Sequence, residues 1–318
     1  GVSWGFDVVD ERLGRLQQPS YVIIGGRSGQ GKTQLAWQAG LNMGLRAKDP
    51  DTGMLEGMYY GSFEMAKKAL MLRGVCIEAN VPTKFVTSGR IPRESNPRLD
   101  GAECPTCGAE YKFDSWDSLP TNARNEKVCR VCAARERSVD AAPCPVPALS
   151  PFDRLVQASG TISRAPIFID EKPCTPRMLA ERFKRVRDTA AEGKMLTRTG
   201  ANYPPTLIRN IVIDSIQNMP APPGASNRSR QVDLQAVSRS VLNDVAKACN
   251  VAVIGLVQLN RGIDGQKERR PQLKDIREAG DIEYDADEIA FVHREQYYMR
   301  ENTPPELRNI ADIVHGKG

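Results

Sequence analysis

The sequence predicts an α/β fold whose mostly parallel sheet is covered by helices on both faces and interrupted by one small inserted module. Three observations carry this. Short apolar runs of strand length alternate with stretches of helical periodicity, the pattern of parallel strands joined by helical crossovers. One strand–helix junction carries G-x-x-x-x-G-K-T, a loop that needs a strand before it and a helix after it. Residues 93–149 break the rhythm, being rich in Pro, Arg, Asn and Cys with little periodicity. The expected division is therefore a main domain over 1–92 and 150–318 and an inserted module over 93–149.

Tyr21–Ile24, stopped by Gly25-Gly26, reads as the first buried strand, and Thr33–Met43 as the helix after it. Gly57–Glu64 reads as the second strand, with a helix beginning near Ala66, and Pro166–Asp170 as the third. Thr175 and Pro176 form a helix cap and first turn, and Leu179, Phe183, Val186 and Ala190 then fall on one apolar face. Asn210–Asp214 is the fourth strand. Leu234, Val237, Val241 and Val245 mark another amphipathic helix, and Val251–Val257, Glu288–Val292 and Ile310–Val314 complete seven strands. Asn218–Arg230 and the basic stretch Arg261–Lys274 read as loops after the fourth and fifth strands.

A length of 318 residues gives room for one large α/β domain and a small extra module, and 40% hydrophobic residues suffice for a core. No apolar run reaches the roughly 18 residues of a membrane span, so a membrane partner is excluded. No signal peptide opens the chain, and a cytoplasmic location is expected. Gly1 is followed directly by motif-like sequence, so we expect a segment of a longer chain. The net charge of +5 permits nucleic-acid binding without requiring it. With only His293 and His315, both in β-like runs, the chemistry is not expected to rest on histidine.

The loop Gly26-Arg-Ser-Gly-Gln-Gly31-Lys32-Thr33 is suited to a nucleotide phosphate. Glycines let backbone N–H groups close around the β-phosphate, and the helix N-terminus adds partial positive charge. Lys32 is expected to reach the β- and γ-phosphates and Thr33 to bind Mg²⁺. The nucleotide-binding set is Gly26, Ser28, Gly29, Gly31, Lys32, Thr33 and Gln34, with Asp214, at the end of Ile211-Val212-Ile213-Asp214, as the Mg²⁺-side carboxylate. The plainer reading of Asp214 is a strand-ending turn cap. Glu64 ends another β run and is placed to take a proton from the attacking water; spacing alone fits a capping Glu equally well.

Cys104-Pro-Thr-Cys107 and Cys129-Arg-Val-Cys132 are two CxxC pairs, a spacing that suits four thiolates around Zn²⁺ in a closed structural ribbon. Disulfides or free thiols are the alternatives. Cys76, Cys174 and Cys249 sit in core-like contexts and are expected as buried thiols. Arg124, Lys127, Arg130, Arg135 and Arg137 surround the ribbon and suggest contact with DNA or a protein partner.

These motifs, in this order, resemble the C-terminal motor domain of DnaB-like replicative helicases. Gly61-Ser-Phe-Glu-Met65 is similar to the family's S-L-E-M segment, Ser88-Gly89-Arg90-Ile91 to its T-G-R-L, Ile167–Asp170 to its L-F-I-D, and Val257-Gln258-Leu259-Asn260-Arg261 to its S-Q-L-N-R. Leu273–Asp287 resembles D-L-R-E-S-G-x-I-E-Q-D-A-D, and Gly5-Phe6-Asp7 with Asp10 its opening segment. Ser215 replaces the usual Tyr after the Asp, and 93–149 has no counterpart in the usual pattern.

The resemblance implies a RecA-like P-loop NTPase core acting as an ATP-dependent motor. In it Glu64 activates water and Gln258 senses the γ-phosphate. A homo-hexameric ring would hold single-stranded DNA in its channel. Arg277, Glu278 and Gly280 would line that channel, with Arg228 and Arg230 on a second loop. A primase or helicase loader would be a partner. The ending Ala311–Gly318 resembles A-E-I-I-x-A-K-x-R, whose Lys and Arg act on a neighbouring subunit's γ-phosphate. Lys317 takes the Lys position, so this segment is expected to bind ATP well and hydrolyse it poorly without the Arg that would follow. A RecA- or KaiC-like ATPase or recombinase shares the phosphate loop and acids and stays open as the alternative. So does an adaptor whose ATPase has decayed.

Overall fold

The computed structural model describes residues 1–46, 48, 49, 51–91, 150–196, 200, 202–224, 229–260, 270–276, 282–308 and 310–317. The chain forms two compact units, Gly1–Gly74 with Gly160–Gly318, and Val75–Ser159. The first contains the sheet. In the second, the described residues are the end of one helix, a short helix and the start of a third.

Seven strands, β1 Ser20–Gly26, β2 Leu55–Ser62, β3 Ile167–Asp170, β4 Thr206–Asp214, β5 Ala252–Gln258, β6 Glu288–His293 and β7 Asp312–Lys317, form one sheet in the order β3-β2-β4-β5-β1-β6-β7. Every neighbouring pair is parallel except β6 and β7. The described α-helices are α1 Asp7–Leu13, α2 Lys32–Arg46, α3 Lys67–Glu78, α4 Thr83–Thr87, α5 Pro151–Arg164, α6 Pro176–Ala191, α7 Arg230–Ser240, α8 Ile282–Asp285 and α9 Glu295–Met299. None is long and apolar enough to cross a membrane.

The central strands are buried on both faces, which explains their near-continuous apolar sequence. Ile23, Ile211, Ile213, Val253 and Val257 share one core with Leu234, Val237, Val241 and Val245, the stripe expected of a helix. Beyond Ser240 that helix widens into a π-helical segment, Val241–Lys247. Each such side chain contributes roughly 1.5–3 kcal/mol through burial. On α6, Leu179, Phe183 and Ala190 are buried and Val186 is partly buried. Phe183 meets Tyr59 edge-on at 5.8 Å. Thr175 caps the helix, its hydroxyl accepting the Met178 N–H, with Pro176 in the first turn as its fixed φ allows. A cap of this kind contributes about 1 kcal/mol.

β4 starts at Thr206, four residues before the expected Asn210, and two further elements differ from expectation. β2 ends at Ser62, before Glu64. Its register with β4 runs out where Ser62 meets Asp214, the last residue of β4. The next two N–H groups, of Phe63 and Glu64, converge instead on the Asp214 carbonyl at 2.6 and 3.1 Å. β7 begins at Asp312, two residues later than expected, and runs antiparallel to β6. Among the described residues, only the short turns Arg300–Asn302 and Pro305–Leu307 stand between α9 and β7, and the chain reverses without a crossover.

Cys76, Cys174 and Cys249 are buried free thiols. The four CxxC cysteines, Cys104, Cys107, Cys129 and Cys132, lie outside the described residues, as do Arg228, Arg277, Glu278 and Gly280. Among the described residues no group of three or more His, Cys, Asp or Glu side chains is arranged to hold a metal ion.

Candidate nucleotide site

The C-terminal ends of the parallel strands gather the expected site residues. β1 ends at Gly26 and α2 begins at Lys32, so the glycine loop bridges strand and helix as its motif requires. Gly29 and Gly31 have φ of +84° and +110°, in the left-handed region that favours glycine. Ser28, Gly29 and Gln34 are exposed, while Gln30 is buried. Among the described residues the Gln30 Nε2 has no hydrogen-bond partner.

The Lys32 ammonium donates to the Gly26 carbonyl at 2.8 Å and the Arg27 carbonyl at 3.3 Å, which holds it over the loop. Burial lowers its pKa below the ordinary lysine value, and the nearby charges of Asp214 and Glu64 oppose that shift. A desolvated cation held over the loop is suited to take phosphate oxygens.

Thr33, the second residue of α2, donates its hydroxyl to Asp214 Oδ2 at 2.9 Å. The fully buried Tyr60 hydroxyl donates to the same oxygen at 3.1 Å. Burial raises the Asp214 pKa, whereas these two hydrogen bonds and Lys32 favour its charged form. A hydroxyl and a carboxylate in contact beside a phosphate loop are the donors a Mg²⁺ ion takes, so the residues present fit both nucleotide and metal.

Glu64 is exposed on the turn after β2. The turn is fixed at three points. The Asp214 carbonyl holds its two N–H groups. The Ser62 hydroxyl donates to the Met65 carbonyl at 2.6 Å. Glu171 accepts the Lys67 N–H at 2.6 Å, at the start of α3. Gln258, the last residue of β5, is level with Gly26. Its backbone N–H and carbonyl are both bonded by the Gln217 side chain, at 2.8 and 3.0 Å.

The structure therefore brings together the glycine loop, Lys32, Thr33, Asp214, Glu64 and Gln258. Lys317 lies elsewhere. It pairs with Ile289 near the start of β6. Phe291 is level with Gly25, so Lys317 sits roughly 10 Å down the sheet from Gly26, toward the opposite edge. Its ammonium donates to the Glu283 and Ala286 carbonyls at 2.6 and 2.7 Å. Arg230 is exposed at the first position of α7. The stretch 277–281 is flanked by the buried Ile276, bridged to Leu259 just past β5, and by the buried Ile282.

Sequence reasoning missed Tyr60, Gln217 and Tyr297, whose ring edge lies within about 3.5 Å of where a side chain at Gly29 would begin. It also took Asp275, Asp285 and Asp287 only as part of a signature. Asp275 accepts the Gln272 N–H at 2.8 Å, Asp285 pairs with Arg239 at 3.2 Å, and Asp287 accepts the Tyr21 N–H at 2.7 Å. They brace backbone and helix around β1 and 277–281. Of the two histidines, His293 is buried with its Nε2 3.0 Å from Glu295, and His315 is exposed on β7.

The family model for the DnaB-like helicase C-terminal domain matches residues 1–109 and 121–317, leaving out 110–120 within the expected insertion and the last residue. The replicative DNA helicase DnaB of Geobacillus stearothermophilus is 25% identical over 317 residues, covering 100% of this chain and 52% of the relative. That of Pasteurella multocida is 27% identical over 319 residues, covering 100% and 50%. The chain thus spans about half the length of the curated relatives it matches.

Two solved structures share the fold at 23% identity over all of this chain. The ATPase domain of G40P has a TM-score of 0.67 with 83% of its chain covered. A DnaB-like replicative helicase, described with its interactions with primase, has a TM-score of 0.66 with 58% covered. The family match takes in both halves of the sheet and every residue of the phosphate site, and this chain belongs to the DnaB-like helicase C-terminal domain family.

Proposed function

We propose that this chain is the ATP- and Mg²⁺-dependent motor of a hexameric DNA helicase that moves on single-stranded DNA and unwinds duplex DNA in replication. The observation that carries it is the meeting of Lys32, Thr33, Asp214 and Glu64 at one edge of the sheet. Lys32 binds and orients the β- and γ-phosphates. Thr33 and Asp214 hold the metal, which neutralises phosphate charge when bound. Glu64 accepts the proton of the attacking water. Gln258, fixed to the base of the loop, responds to the γ-phosphate and passes its state to the basic stretch that follows.

Arg277, Glu278 and Gly280 form the primary channel loop, where Arg pairs with a phosphate and Gly lets backbone N–H groups approach one. Arg228 and Arg230 form a second. Binding of single strands then weakens steeply with salt. Lys317 lies roughly 10 Å down the sheet from its own chain's phosphate loop, which favours a role across a subunit boundary. That role requires it to leave the Glu283 and Ala286 carbonyls. A primase or loader is the expected protein partner. Strand displacement from a forked duplex tests the motor reading: ATP-dependent displacement supports it, and strand exchange between homologous duplexes in its place would favour a recombinase.

Cys104, Cys107, Cys129 and Cys132 bind one structural Zn²⁺ in this reading, supported by the paired CxxC spacing. Elemental analysis of the purified protein should return about one zinc per chain, and markedly less would reject the site.

A further inference from the structure

Tyr60 lies within β2, fully buried, where a phenylalanine would fill the same space. A buried phenol is costly unless its hydroxyl finds a partner. Here that partner is Asp214 Oδ2 at 3.1 Å, the oxygen that also takes the Thr33 hydroxyl at 2.9 Å. The ring also meets Trp37 of α2, edge-on with centroids 5.5 Å apart. Tyr60 thus couples the carboxylate that ends β4 to the helix that carries Lys32 and Thr33. Its neighbour Tyr59 points to the opposite face of the strand, as alternation requires, and donates instead to Asp170 at 2.9 Å.

We propose that Tyr60 is a positioning residue of the magnesium site, its hydroxyl holding the Asp214 carboxylate in the orientation in which it meets Thr33. The inference rests on the reading of Asp214 as the metal-side acid. A group that orients a metal ligand governs metal affinity without touching the metal.

The test is binding of a fluorescent ADP analogue, titrated with Mg²⁺ and repeated in EDTA, for wild type, Tyr60→Phe and Tyr59→Phe. Phenylalanine keeps the ring contact with Trp37 and removes only the hydroxyl. The half-saturating Mg²⁺ concentration should rise about tenfold in Tyr60→Phe and stay at the wild-type value in Tyr59→Phe, with all three alike in EDTA. The nucleotide-dependent gain in Tm on adding Mg²⁺, read on folded protein alone, should shrink in Tyr60→Phe only. A wild-type Mg²⁺ response in Tyr60→Phe, or an equal rise in Tyr59→Phe, would overturn this proposal alone. Wild-type protein whose nucleotide binding ignores Mg²⁺ would overturn the metal-site reading and this proposal with it.

Discussion

Lys32→Ala should lower ATP turnover by about 10²- to 10³-fold, the cost of removing one preorganised charge from a transition state that gathers negative charge. That corresponds to roughly 3–4 kcal/mol of transition-state stabilisation. The structure gives the reason for so large an effect. The ammonium is desolvated and held over the loop by the Gly26 and Arg27 carbonyls, so water does not replace it cheaply. Nucleotide affinity should fall as well, since the same charge meets the ground-state phosphates. Steady-state turnover and equilibrium nucleotide binding on the same preparation check both. Turnover within threefold of wild type would remove Lys32 from the site.

Glu64→Gln should have the contrasting signature, with nucleotide binding retained and turnover reduced by about 10²- to 10⁴-fold, the range of a general base. Glutamine keeps the shape and exposure of the side chain but accepts no proton. The turn that carries it is held by backbone and by Ser62 and Glu171, not by the Glu64 side chain, so the substitution leaves the fold intact. Single-turnover kinetics with a binding titration read the split. Normal turnover in this variant would return Glu64 to the role of a turn residue. Rings mixed from Glu64→Gln and Lys317→Ala subunits should exceed the activity of either alone, because some interfaces regain both groups. Failure of mixing to recover activity in intact rings would end the role of Lys317 across the interface.

What the sequence made legible is what local chemistry determines. The glycine loop, the strand before it and the helix after it form one contiguous motif, and the structure places them as the motif demands. The four-residue apolar stripe of α7 and its π-helical extension, and the Thr175 cap of α6, are likewise set by nearby residues.

The end of β2 was not legible, because it depends on where β4, some 150 residues away, runs out of partners. The direction of β7 depends on whether the connection crosses the sheet or turns back. Tyr60 gives no signal in one dimension: in an apolar strand a tyrosine reads as another large buried residue, and only folding brings its hydroxyl to Asp214. Asp275, Asp285 and Asp287 were recognisable as part of a pattern, yet their work of bracing backbone around β1 and the flanks of 277–281 belongs to the tertiary structure.

Displacement of a labelled strand from a forked duplex, with native protein and an Arg277→Ala variant side by side, bears most directly on the motor. Native protein should separate the strands only with hydrolysable ATP and Mg²⁺, and high salt should suppress it. Arg277→Ala should keep the ATP turnover seen without DNA while losing displacement and DNA stimulation. Native protein that hydrolyses ATP and binds single strands yet separates no duplex, or an Arg277→Ala variant that unwinds as well as wild type, would contradict the account.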